Sequence, residues 1–283
     1  MSKKKIISLL LSIGCVSLIL ILSLGITANQ VVIAKEKVKQ QETKKKSKKL
    51  TWKKQEQAVQ IPILMYHAIH EMAPEESANA NLIVAPDLFE QQIKALSDSG
   101  YYFLSPEEAY KALTSNKLPQ KKVVWVTFDD GNADFYTHAY PILKKYTAKA
   151  TNNIITGFVK NHSTGNVTVK QMTEMSKHGM SFQGHTVNHP DLSMASSDIQ
   201  SSELAGSKAF LDQELTQKTT TIAYPSGRYS QETIDLSKQA GYRLGLTTNE
   251  GLASADDGLL SLNRVRILPT TTPSILLEQI SVN

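Results

Sequence analysis

Apolar and polar positions divide the chain into three stretches. From Ile6 to Ala28 the residues are mostly apolar and none is charged, a length that can cross a bilayer as a helix. Residues 29–56 then mix lysine with other polar residues and show no period. From residue 57 onward, short apolar runs alternate with stretches whose apolar positions recur every three or four residues.

The runs Ile61–Tyr66, Val123–Phe128, Ala150–Ile155, Met180–Gly184, Thr220–Tyr224 and Arg243–Thr247 read as strands. Val123–Phe128 is almost wholly apolar, as expected of a strand buried on both faces. Phe89, Ile93 and Leu96 have helical spacing, and Gly100 follows them. Ser105-Pro106-Glu107-Glu108 is a helix start, with Ser as N-cap, Pro at the first position and Glu at the third. Further helices are predicted near 169–178, 197–214 and 230–240, and one within 134–146 that is interrupted near Pro141. This alternation predicts an α/β fold in which helices cover a parallel sheet. About seven βα units fit, which favours a (β/α)7-type barrel over an open sheet. In such folds chemistry gathers at the C-terminal ends of strands.

Three segments follow: a basic start and transmembrane anchor over 1–28, a Lys-rich linker over 29–56, and one folded domain over 57–283. Lys3, Lys4 and Lys5 precede the apolar run, which is longer than the core of a cleavable signal, although Ala28 and Ala34 offer weak cleavage sites. Cys15 lacks the leucine three residues earlier that a lipoprotein signal would carry. Lysines flank both sides of the run, so charge alone does not orient it; the large domain is expected outside the cell.

Charge and cysteine content narrow the function. The formal net charge is +5, but residues 35–54 hold ten lysines against two glutamates. The domain itself is therefore acidic, which argues against a nucleic-acid partner. Cys15 is the only cysteine, so the domain has neither an internal disulfide nor a thiol metal site. Any metal must be held by histidine and carboxylate. A monomer is expected.

Two motifs fall at predicted strand ends. Thr127-Phe128-Asp129-Asp130-Gly131 places adjacent carboxylates after the most apolar strand, where they are costly unless paired or metal-bound. Taken alone it could be a strand ending in a turn. His185-Thr186-Val187-Asn188-His189 places two imidazoles four residues apart after the strand that Gly184 closes. Taken alone it could be two histidines on a turn. Together they supply two histidines and a carboxylate, a ligand set that leaves open positions for hydrolysis. The second carboxylate can then take the proton of an attacking water.

These motifs resemble the first two of the polysaccharide deacetylases of carbohydrate esterase family 4, and the resemblance covers about residues 60–270. It implies a distorted (β/α) barrel, a divalent metal and hydrolysis of N-acetyl groups on sugars. It also implies that Asp129 is the base and that Asp130, His185 and His189 hold the metal. Zinc is the expected ion, with cobalt, nickel or iron as alternatives.

The later motifs depart from the family pattern. The usual Arg-x-Pro-Tyr element stands here as Ala223-Tyr224-Pro225-Ser226-Gly227, and the late Leu-x-His, source of the general acid, is not evident. His67, in an early Met-Tyr-His element, is similar to the acid of the subgroup that deacetylates poly-N-acetylglucosamine. The resemblance further implies an oxyanion donor at the backbone N–H of Ser226, after Pro225. Tyr224 is a candidate for the substrate groove together with Arg264, although packing and pairing are the simpler expectation for both. His70, His138, His162 and His178 lack partner motifs and read as surface or capping residues.

The expected substrate is a β-linked N-acetylglucosamine polymer at the cell surface, poly-N-acetylglucosamine first and peptidoglycan second. A non-catalytic glycan-binding protein on the same fold is the competing reading.

Overall fold

A computed structural model describes residues 50–282. The anchor and its orientation, expected from residues 1–28, lie outside the described residues, as does most of the lysine-rich segment. Among the described residues no helix is long and apolar enough to cross a membrane. The compact unit begins at Trp52, ahead of the boundary expected at 57. Lys53–Lys54 pairs antiparallel with Lys117–Leu118, and Lys111 Nζ lies 4.2 Å from the Trp52 ring centroid. The end of the expected linker therefore belongs to the domain.

Seven parallel strands close a barrel among the described residues. They are β1 (Ile63–Tyr66), β2 (Val123–Phe128), β3 (Ala150–Ile154), β4 (Met180–Gly184), β5 (Thr221–Ala223), β6 (Leu244–Glu250) and β7 (Leu262–Arg266). Each pairs with the next, and closure comes from β7 on β1 and β1 on β2. Tyr102–Phe103 adds a short strand beside β2. Besides a five-residue helix at Thr156–Lys160, the α-helices among the described residues are α1 (Pro86–Asp98), α2 (Pro106–Ser115), α3 (Tyr140–Lys145), α4 (Val169–Ser176), α5 (Ser197–Glu214), α6 (Gln231–Gln239) and α7 (Pro273–Gln279).

Six strands coincide with the predicted runs; β7 was not predicted. Pro62 separates β1 from Gln60–Ile61, which pairs instead with Ala253–Ser254. Ser105 caps α2 as expected: its Oγ accepts the Glu108 N–H at 3.3 Å, and Glu108 Oε2 accepts the Ser105 N–H at 2.8 Å. The interruption near Pro141 is a π-helical stretch, Phe135–Ala139, that leads into α3 with Pro141 in its first turn.

Strand alternation sorts side chains into two cores. Outward, Leu64, Tyr66, Val124, Val126 and Phe128 pack on Phe89, Ile93 and Leu96 of α1. The Tyr66 and Phe128 rings lie 5.2 Å apart, with Phe89 edge-on to Tyr66. Each such fully buried side chain stabilises by on the order of 2–3 kcal/mol. Inward, Ile63, Trp125, Leu244, Leu246 and Leu262 form a second core with Ala109, Ala112 and Leu113 of α2. On the same inward face, further along β2 and β7, lie Thr127, Asp129 and Arg264, all buried. The interior thus changes from apolar to polar toward the C-terminal strand ends, where both motifs sit.

Candidate active site

The site is built from β1, β2, β4 and β7. The Asp129 N–H donates to Tyr66 O at 3.0 Å, which sets the ends of β1 and β2 side by side, with His67 immediately after Tyr66. Asp129 is 2% exposed. Arg264 reaches it across the barrel: one guanidinium nitrogen donates to Asp129 Oδ1 at 2.9 Å and the other to Oδ2 at 2.7 Å. Asn153 Nδ2 donates to Oδ1 at 2.8 Å. Arg264 is itself fully buried, and its Nε donates to Thr247 O at 2.7 Å. Burial alone would raise the Asp129 carboxyl, but the Arg264 charge, aided by His185 and His67, outweighs it and holds the group far below the usual carboxylate range.

Asp130 points elsewhere. Its φ of 75° is rare for a residue with a side chain and takes the chain off the strand direction at once. The 165–167 segment supports this turn: Asn166 Nδ2 donates to Asp130 O at 3.2 Å, and the Val167 N–H to Gly131 O at 2.9 Å. Asp130 Oδ1 then lies 3.5 Å from His185 Nε2 and 3.9 Å from His189 Nε2. Metal–ligand bonds of about 2.1 Å at tetrahedral angles separate donor atoms by roughly 3.4 Å. The three donors, all within 4.8 Å of one another, thus fit one divalent ion. His185 Nδ1 donates to Ala223 O at 2.8 Å, which leaves Nε2 with a free lone pair on the donor side.

The imidazoles differ. Burial lowers His67 despite the nearby Asp129 and Asp130 charges. His189 is lowered by burial and by the His185 charge. In His185 burial acts downward, but the Asp130 hydrogen bond and both carboxylate charges outweigh it and raise the group. An ion on these donors takes the place of that proton.

Ser226 is an exposed residue with φ 53°, and its N–H makes no hydrogen bond among the described residues, so it is free to donate. The turn depends on Gly227: a Cβ there would lie 2.0 Å from Thr248 Oγ1, and φ is +67°. Pro225 is buried behind it. Tyr224, a groove candidate for which packing was the simpler expectation, is fully buried: its ring lies 4.9 Å from Tyr229 and its hydroxyl donates to Leu260 O at 2.9 Å.

Arg264 pairs, as the simpler expectation had it, but its partner is Asp129, which the sequence did not reveal. The available signal was an arginine two residues from another in an unassigned strand. His138, His162 and His178 are exposed. His70 is not a plain surface residue: Nδ1 lies 2.7 Å from Asp134 Oδ2 and Nε2 lies 3.1 Å from Glu76 Oε1. Burial would lower it, but these two hydrogen bonds raise it instead. The cluster forms part of the wall of a cavity of about 340 Å³ that His67 and Asp130 also line.

Comparison with known proteins agrees with this geometry. A sequence profile of the polysaccharide deacetylase family matches residues 116–245. YxkH of Bacillus subtilis (strain 168), assigned by name to the polysaccharide deacetylases, is 40% identical over 88% of this chain and 90% of its own. The poly-β-1,6-N-acetyl-D-glucosamine N-deacetylase of Staphylococcus aureus (strain MSSA476) is 32% identical over 66% of this chain and 68% of its own. The structure of the Streptococcus pyogenes deacetylase PplD in complex with acetate is 62% identical, with TM-score 0.78, over 80% of this chain and 100% of that one. The motifs, the barrel that carries them and these relatives agree: the chain belongs to the polysaccharide deacetylase family and is a deacetylase.

Proposed function

We propose that this chain removes N-acetyl groups from a β-linked N-acetylglucosamine glycan, with residues 6–28 as a membrane anchor and the barrel outside the cell. The observation that carries the reading is the meeting of two acidic systems at one barrel mouth. One is a three-donor set, Asp130, His185 and His189. The other is Asp129, held separately by Arg264.

Hydrolysis of an acetamide needs a proton acceptor for water, a donor to the developing oxyanion and a proton for the departing amine. Asp130, His185 and His189 would hold a divalent ion, zinc first, which would supply Lewis acidity to the acetyl carbonyl and acidify nearby water. Asp129 accepts the proton of the attacking water. Arg264 keeps it ionised at the cost of basicity. The Ser226 N–H donates to the oxyanion. His67 gives its proton to the nitrogen as the C–N bond breaks, leaving acetate and an amine. Its lowered pKa makes the imidazolium a stronger donor and reduces its population at neutral pH.

The Staphylococcus aureus relative supports poly-N-acetylglucosamine as the first substrate to test. The test is acetate release by the full chain, with its metal content measured, from poly-β-1,6-N-acetylglucosamine oligomers and from peptidoglycan. Faster release from the oligomers is expected. Release from peptidoglycan alone would overturn the substrate. Binding of either glycan with no release from both would favour the glycan-binding reading.

A further inference from the structure

His189 is the one metal donor that no strand end positions. His185 directly follows Gly184, the last residue of β4, and Asp130 comes two residues after Phe128, the last of β2; the His185 N–H donates to Ile154 O at 2.9 Å. The chain then runs through two left-handed residues, Thr186 at φ 63° and His189 at φ 60°. Each is costly for a residue with a side chain, more so for the β-branched Thr186. Something must hold this turn in place.

One buried carboxylate does so from the side. Glu203 lies on the buried face of α5 with Gln200, Leu204, Ser207 and Leu211, and is 8% exposed. Its Oε2 accepts the N–H groups of Val187 and Asn188, both at 2.8 Å. Its Oε1 accepts Asn188 Nδ2 at 2.7 Å. Glu203 has no ion pair among the described residues. Consecutive N–H groups converging on one anion form a concave nest, and here the nest is the turn between the two histidines. The opposite side is held by donors: the Thr156 N–H to Thr186 O at 3.1 Å and the Gly157 N–H to Val187 O at 2.8 Å. A Cβ at Gly157 would lie 2.6 Å from Val187 O, so that side admits no slack.

A buried charge without a counter-ion is expensive in a domain that needs it only for packing. Its three donors all come from the segment that aims His189. We infer that Glu203 is a positioning residue that sets His189 for the metal, acting through the Val187–Asn188 backbone. It rests on the metal reading of Asp130, His185 and His189.

The test is metal affinity, apart from turnover. The detergent-solubilised full chain is titrated with Zn²⁺ against a competing chelator, and its Co²⁺ form is examined by visible absorption. Glu203→Ala is expected to weaken affinity about 10- to 100-fold and to change the Co²⁺ spectrum, because His189 drifts while Asp130 and His185 stay. Glu203→Gln, which retains one acceptor oxygen and the shape, is expected to recover part of the loss; it also serves if the alanine variant does not fold. Gln200→Ala is the structural control. That side chain is buried on the same face but bonds Ala195 O and Thr233 Oγ1, so it should lower thermal stability and leave metal affinity unchanged. Wild-type affinity and spectrum in both Glu203 variants would overturn the inference and leave the metal reading intact. A wild type that binds no divalent ion would overturn both.

Discussion

The two sides of the barrel mouth are built by opposite means. On the side of β1, β2 and β7, Asp129 just past the end of β2 and Arg264 within β7 are almost fully buried, and both carboxylate oxygens are met by donors. On the side of β4 and β5, Thr186, His189, Ser226 and Gly227 all sit at positive φ in turns. There His189 is 32% exposed on its side chain and the Ser226 N–H has no partner among the described residues. Asp130 is the joint, on the chain of the first side but turned toward the second. Strand register suits groups that must keep a fixed distance for proton transfer. Turns suit groups that must keep unused bonding capacity facing a ligand, since a strand would spend it on its neighbours.

The largest test of this contrast is Asp129→Asn. Loss of the proton acceptor should cut acetate release about 10²- to 10⁴-fold, while elemental analysis finds the metal retained. If the metal leaves too, Asp129 is a ligand and the two sides are one. His67→Ala should act in the same way toward the lower end of that range, again with metal retained. Arg264→Met attacks the strand-built side through stability: it leaves a buried carboxylate unpaired, and denaturant unfolding should register a loss of about 3–5 kcal/mol. A loss near zero would mean that Asp129 finds another partner or takes up a proton.

The turn-built side should break through strain. Gly227→Ala forces a Cβ against Thr248, at a cost of about 1–3 kcal/mol, and Thr248→Ala in the same chain should recover part of it. Calorimetry of the single and double variants measures both.

The smallest effect lies away from both sides. Glu108 is paired with Lys149. Burial would raise Glu108, but Lys149, Tyr102 and the Ser105 N–H outweigh it and lower it. A folded-state pKa below the unfolded one stabilises above the ordinary glutamate range, and the gain fades as pH falls through the lowered value. Lys149→Met should therefore cost about 1 kcal/mol or less near neutral pH and little in strong acid. A difference that stays constant between the two would point to lost packing instead of charge.

What could be read from the sequence follows the same division. Strands β1 and β2 were legible because nearly every residue is apolar; β3 to β6 mix apolar and polar residues and were legible from their recurrence between helical stretches. Strand β7 was not, because two of its five residues are arginine and arginine ordinarily marks the surface. It is buried here because Asp129 lies across the barrel, a relation that no local pattern carries. Glu203 was hidden for a like reason: Gln200, Glu203 and Ser207 interrupt the apolar stripe of α5, so its buried face looks exposed. The three donors that fit an ion were legible because two short motifs held them all. For Tyr224, adjacency to Pro225 and Ser226 in sequence left groove and packing both open, because it says nothing of which way the ring turns.

Arg264 lies 135 residues after the carboxylate it neutralises. As the chain is made from its amino end, Asp129 appears long before its guanidinium does. Until β7 is in place the barrel has an open seam between β6 and β1, and the acid pair cannot form. Contacts so far apart in sequence also form late in folding. The final strand is thus both the closing stave and the source of the pairing guanidinium: an incomplete chain carries Asp130, His185 and His189, yet lacks the residue that pairs with Asp129.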